Sequence, residues 1–291
     1  MGNLGETLRN APHLRTKMLQ LAVMGSVLLG LGLFQNCSGV GFSAGQDNSS
    51  NNGLGNGGNA TGNLTQNSCN NNQLQQSTTP IKIILVVDVS GSNQGDASSP
   101  GTDPGKVARA GSIQAFFNDY GAKANFNWAF ITFQNASASA ILNNAGNNQQ
   151  PEFTSNPQLM QAAITYFENN VPDNGQTPYK AAIQMATGLI QNDGADTAQT
   201  KYIVVFLSDG MPTDYQSDSQ IYSDVTALVN LKPGRISFNT VFYGQPDPSA
   251  SSRLNMMANA GSGQFLDTNA TGNKDFLINN VVTVPGSQCT P

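Results

Sequence analysis

Two segments far apart in the chain, IKIILVVD at 81–88 and KYIVVFLSD at 201–209, are apolar at nearly every position and end on an aspartate. A strand with one solvated face alternates apolar and polar side chains. A strand that is apolar throughout needs cover on both faces, which is the condition of a parallel strand flanked by helices. Around these runs the period of the pattern keeps changing. KVARAGSIQAFFNDY places Val107, Ala110, Ile113, Phe117 and Tyr120 along one side of a helix. NFNWAFITFQN (125–135) reads as a strand, with SASAIL (137–142) as a short one beside it. Helical patterns follow at 156–167 and 178–191; after the second run come helix 218–231, strand 235–244, helix 250–259, strand 264–267 and a closing helix near 272–281. The alternation predicts an α/β fold: a doubly wound, mainly parallel sheet with helices on both faces. Ligands of such sheets bind at the carboxyl ends of the strands, where strand order reverses. Asp88 and Asp209 stand at two such ends and are candidates for one site.

The segment ahead of this region reads differently. Arg9, Arg15 and Lys17 precede an apolar stretch from Leu19 to Phe34, the order of an export signal and shorter than the roughly 20 residues of a membrane span. The alternative is a single membrane anchor that stays attached. FQNCSG (34–39) resembles the lipobox of bacterial lipoproteins, with Phe34 and Asn36 in place of the usual Leu and small residue. The resemblance implies acylation at Cys37, which becomes the mature N-terminus, and Ser38 after it fits sorting to the outer membrane. From Gly39 to Thr79 the chain is dominated by Asn, Gly, Ser, Gln and Thr, too poor in large apolar residues to offset its ordering entropy, so it reads as a flexible tether. The expected organisation is an export signal over 1–36, an acylated cysteine and tether over 37–79, and a folded domain over 80–291. Cys69 and Cys289 bracket that domain. In a doubly wound sheet the start of the first strand and the end of a closing helix lie at the end opposite the ligand crevice, and under oxidising conditions these two thiols are expected to pair.

Several chemistries are disfavoured by what the chain lacks. Without its first 36 residues it carries 10 Lys and Arg against 17 Asp and Glu, an acidic balance unsuited to nucleic acid. The single histidine, His13, lies in the export-type segment, so the folded region offers no Ser-His-Asp triad, Cys-His dyad or His-ligated zinc. GLGNGG (53–58) has glycine spacing of the dinucleotide type but no flanking strand and helix. GTDPGKV (101–107) is one residue short of a phosphate loop and has Val107 where Ser or Thr is required. No enzyme activity is expected.

What remains is oxygen chemistry. In VVDVSGS (86–92), Asp88, Ser90 and Ser92 alternate, which in an extended segment directs a carboxylate and two hydroxyls the same way. Each element taken singly has a structural explanation: Asp88 as a polar strand end, Thr177 before Pro178 as an N-cap, and Asp209-Gly210 as a turn. Together they resemble the von Willebrand factor A (integrin I-like) family. DVSGS matches its Asp-x-Ser-x-Ser signature, NGQTPYKAA its threonine loop, and VVFLSDGMPTD its third, aspartate-bearing loop. The resemblance spans about Ile81 to Val284. It departs at DNGQTP, where many members have two glycines before the threonine, and in the polar insert NQGDASSPGTDPG (93–105). It implies a metal-ion-dependent adhesion site with Asp88, Ser90, Ser92, Thr177 and Asp209 as ligands. The cation would be divalent, Mg2+ first, with Mn2+ or Ca2+ as alternatives, since hard cations take such oxygen donors. The last ligand would come from a protein or other acidic partner. Asp214 is expected to tie down the third loop, and Asp96 and Asp103 to sit in a solvated insert. The expected function is cation-dependent adhesion or protein binding by a domain held at the bacterial envelope by a lipid anchor, at the outer membrane. The alternatives are a structural envelope-assembly component that needs no metal, and an enzyme or chelatase-type accessory subunit.

Overall fold

Eight consecutive buried residues, Ile81–Asp88, form the central strand β1 of the computed structural model, which describes residues 79–143, 146–271 and 278–284. The export-type segment, Cys37, nearly all of the tether and the Cys69–Cys289 pair lie outside the described residues. After β1 come helix α1 (Val107–Tyr120), strands β2 (Phe126–Gln134) and β3 (Ser137–Ala140), and helices α2 (Pro157–Asn170) and α3 (Tyr179–Gln191). Strand β4 (Lys201–Ser208), helix α4 (Asp218–Asn230), strand β5 (Ile236–Phe242), helix α5 (Pro248–Ala260) and strand β6 (Ser262–Asp267) complete the sheet and its cover. No helix among the described residues is long and apolar enough to cross a membrane.

The strands lie in the order β3-β2-β1-β4-β5-β6, all parallel except β3, which runs antiparallel to β2. Strand order therefore reverses between β1 and β4. Their register, ending at Val87 opposite Leu207, brings Asp88 beside Ser208 at the carboxyl end. Side-chain alternation divides β1 between two cores. Ile81, Ile83, Leu85 and Val87 face α1, α2 and the buried Ile278–Val284 segment, while Ile84 and Val86 face α3, α4 and α5. Phe206 centres the second core, with ring centroids 5.0 Å from Phe133, 4.8 Å from Tyr179 and 5.7 Å from Phe238.

Three sequence expectations are corrected. Val107, placed on the core side of α1, is 73% exposed, whereas Phe116 is buried. At 100° per residue Val107 lies about 120° round the helix from Ile113, and the stripe that meets the sheet runs through Arg109, Ala110, Ile113, Phe116 and Phe117. The short strand stops at Ala140, because Ile141 N and Leu142 N converge on the one acceptor Phe130 O, at 2.8 and 3.4 Å, which breaks the ladder ahead of an isolated bridge between Asn143 and Pro151. Of the expected closing helix, 272–277 lie outside the described residues and Ile278–Asn280 form a 3-10 turn.

Two further features frame the sheet. The outer edge of β3 is closed by its own loop: Ala140 N donates to Asn148 O at 2.7 Å and Gln149 Nε2 to Ala138 O at 3.2 Å. At the amino ends of β1 and β4, Lys82 pairs with Asp193 at 2.5 Å, and Tyr202 donates to Asp193 at 2.5 Å and to Asp196 at 3.1 Å. Asp196 in turn binds Lys232 at 2.6 Å and Arg235 at 2.7 Å. Charge is thus concentrated at both ends of the strands and excluded from the middle.

Candidate metal centre

Asp88 is the last residue of β1 and fully buried. Its Oδ1 accepts from Ser90 N at 2.7 Å and its Oδ2 from Ser208 Oγ at 2.5 Å. Ser90 keeps the extended conformation, but Gly91–Asn93 form a 3-10 turn. Ser92 therefore joins the same side by a turn and not by strand alternation, a correction to the extended reading. Ser90 Oγ and Ser92 Oγ stand 3.0 Å apart, and Ser92 Oγ donates to Asp209 Oδ1 at 2.9 Å. Since the Ser92 proton goes to Asp209, Ser90 is the donor of the first pair. A chain of hydroxyls thus links the end of β1 to the residue after β4, across the point where strand order reverses.

Thr177 is buried on the second loop and makes no hydrogen bond to the other four candidate ligands among the described residues. Its loop is nonetheless fixed against both others. Gly91 N donates to Gly175 O at 3.0 Å, Asn174 N to Val89 O at 2.9 Å, and Thr213 N to Thr177 O at 3.0 Å. Gly175 has φ +67°, and a Cβ there would lie 1.7 Å from Asn135 Oδ1, so this one glycine sets the path of the loop. Asp214 Oδ2 accepts from Ala181 N at 3.2 Å, tying the third loop to the start of α3 as expected.

The insert contains the largest departure from the sequence reading. Asp96 is exposed, as expected, but Asp103 is 5% exposed. Its carboxylate accepts from Ala108 N at 2.9 Å, Arg109 N at 3.0 Å and Arg109 Nε at 2.9 Å. Arg109, fully buried, uses all five of its N–H donors. Besides the Nε bond, Nη1 reaches Asp88 O at 2.6 Å and Asp173 Oδ1 at 3.0 Å, and Nη2 reaches Asp103 O at 3.2 Å and Asp173 Oδ2 at 3.0 Å. Lys106 adds a second cation, 3.3 Å from Asp173. One guanidinium thus holds the end of β1, the insert and the second loop together. Two cations face two carboxylates in this hub, so it is electrically balanced.

Asp88 and Asp209 are not balanced in this way. Burial first, and the Asp209 carboxylate second, push the Asp88 carboxyl up to about 7, against the hydrogen bonds from Ser208 and Ser90. Burial likewise raises Asp209, opposed by hydrogen bonds from Thr102 and Ser92 and by the Arg109 charge. Two carboxylates pressed together out of water, lined by hydroxyls and with the nearest guanidinium already engaged, form a donor set that fits a hard divalent cation. A hydroxyl that gives its proton to a carboxylate still has a lone pair for the ion.

Sequence reading missed Ser208, Arg109, Asp173 and Thr102, whose Oγ1 donates to Asp209 Oδ2 at 2.5 Å. The only signal for Arg109 is its place on the apolar stripe of α1. Ser208 was legible as the residue preceding a candidate ligand.

No protein-family model matches the sequence, and no curated protein does either. Among solved structures, the pilus adhesin SpaC from Lactobacillus rhamnosus GG is similar at a TM-score of 0.51 and 16% identity, over 71% of this chain and 30% of the adhesin. The SpRpn10 VWA domain is similar at 0.45 and 11% identity, over 64% of this chain and 86% of that domain. A manganese-loaded TRAP protein of Plasmodium vivax is similar at 0.43 and 16% identity, over 62% and 63% of the two chains. What this chain shares with the adhesin is the fold, a six-stranded, mainly parallel α/β sheet covered by helices.

Proposed function

We propose that this domain binds a partner molecule through a divalent cation held by Asp88, Ser90, Ser92, Thr177 and Asp209. The observation that carries the reading is the charge arrangement. The buried hub around Arg109 is neutral in itself, while Asp88 and Asp209 are bonded by hydroxyls and, among the described residues, form no salt bridge. Mg2+ is the first choice of ion, with Mn2+ or Ca2+ as alternatives. A divalent ion there supplies an electrophilic position for an oxygen anion from a second molecule, so an acidic group on a protein is the expected partner chemistry. The site's groups are hydrogen-bonded to one another and to the loops that carry them, an arrangement that supports holding and orienting an ion. The basic and apolar segment ending at Cys37 supports a lipid-anchored position at the bacterial envelope, at its outer membrane.

The test is recovery of partners from an envelope extract by the full chain, with and without chelator, beside Mn2+ titration of wild type and Asp88→Asn. Partners lost on chelation and a Mn2+ affinity abolished by the substitution are the expected results. Partners retained under chelator favour the metal-independent assembly component. Wild type that takes up no Mn2+ sinks the cation reading, and native protein found in the soluble cell fraction sinks the anchoring.

A further inference from the structure

The insert ahead of α1 is a built loop. Gly95 and Pro100 form a bridge, and Asp96 Oδ1 accepts from Ser98 N at 2.7 Å and Ser99 N at 2.9 Å. Thr102 N donates to Ser92 O at 3.1 Å and Asp103 N to Asn93 O at 3.2 Å, a short ladder that lays the end of the insert along the first ligand loop. The approach is close enough that a Cβ on Gly101 would lie 2.2 Å from Asn93 O. From this position the Thr102 side chain reaches the third loop, and its hydroxyl donates to Asp209 Oδ2 at 2.5 Å. Ser92, on the other side of the carboxylate, donates to Oδ1 at 2.9 Å.

We propose that Thr102 is a positioning residue of the cation site, acting through Asp209. The inference rests on the cation reading above and adds a residue outside the ligand set. The terminal torsion of an aspartate is broad when nothing restrains it. Here one hydroxyl on each oxygen fixes the carboxylate plane before an ion arrives, and one of those hydroxyls comes from the insert. A carboxylate clamped in this way loses less freedom on coordination, which is why outer-shell hydrogen bonds to ligating groups carry affinity. Asp103, the next residue, anchors the same stretch to Arg109 at 2.9 Å, so the hydroxyl is delivered from a rigid support.

The experiment is calorimetric Mn2+ titration of the full chain as wild type, Thr102→Val and Thr102→Ser, with thermal melting of each ion-free protein. Valine keeps the shape and the backbone bond to Ser92 and removes only the hydroxyl. Expected is an affinity loss of about 10- to 100-fold in Thr102→Val, with recovery to within about threefold of wild type in Thr102→Ser. A purely structural role for Thr102 would lower the melting temperature of the valine variant and leave its affinity alone. Thr102→Val within about twofold of wild type, or Thr102→Ser as weak as valine, overturns the proposal while leaving the cation site standing. Wild type that binds no Mn2+ overturns both. Should Thr102→Val not fold, Thr102→Ala reads the same loss of the hydroxyl.

Discussion

Asp88 illustrates how a residue can be placed at a cost to the fold. Burial and the neighbouring Asp209 raise its carboxyl to about 7, so the folded, ion-free domain holds a proton that the unfolded chain has released by about pH 4. Its contribution to stability is complete below the ordinary aspartate value and is lost as pH rises through about 7. The melting temperature of the ion-free protein is therefore expected to fall from about pH 4 to about pH 7 and to level off above that, and Asp88→Asn to flatten that limb. Saturating Mn2+ removes the limb as well, because the ion takes the place of the proton, and Mn2+ affinity rises over the same range. A melting temperature that climbs with pH in the ion-free wild type would remove the assignment. At this scale the sequence was legible as to which residues meet, Asp88, Ser90, Ser92 and Asp209, since oxygen-bearing side chains at two neighbouring strand ends have one place to converge. Thr102 was not legible. A polar insert has no period to read, and the reach of Thr102 depends on a backbone approach that only Gly101 permits.

At the level of elements, the strands were legible because a run such as IKIILVVD has few other places to go than the middle of a covered sheet. Helix α1 was read less well. A pattern of apolar positions counts a charge as solvent-facing, and Arg109 is the reverse: a charge on the buried stripe, held there by Asp103 from the insert and Asp173 from the second loop. Those partners lie six and 64 positions away, and no local pattern links them. The arrangement makes α1 the post to which the end of β1, the insert and the second loop are tied, and it gives a prediction of its own. Arg109→Met leaves two buried carboxylates with only Lys106, and the expected loss is about 3–5 kcal/mol in urea denaturation. Arg109→Lys recovers part of this at most, since an ammonium cannot reproduce the five-donor fork. A methionine variant as stable as wild type would show that the hub contributes nothing net.

The whole molecule carries opposite titrations at the two ends of its sheet. Hydrogen bonding to Arg235 first, then to Lys232 and Tyr202, holds the Asp196 carboxyl well below its usual range, against an opposing effect of burial that is second only to Arg235. Its stabilisation is present above the ordinary aspartate value and is lost as pH falls through the lowered one. Acid therefore weakens the amino end of the strands while a rise toward neutral pH weakens the carboxyl end, so the ion-free domain is expected to be most stable near the ordinary aspartate value, at about pH 4. Asp196→Asn should remove the acid limb of a melting curve measured against pH and leave the limb toward neutral pH in place. An unchanged acid limb would mean that the Asp196 cluster does not govern acid unfolding.

The closed edge of β3 matters for how copies of this molecule behave when crowded. An open strand edge is a template on which identical chains can zip together into larger aggregates. Here Asn148 and Gln149 already occupy the outward-facing groups of Ala140 and Ala138, so lengthening the sheet from that side requires the loop to be peeled away first. Neighbours packed shoulder to shoulder on that flank can touch without merging.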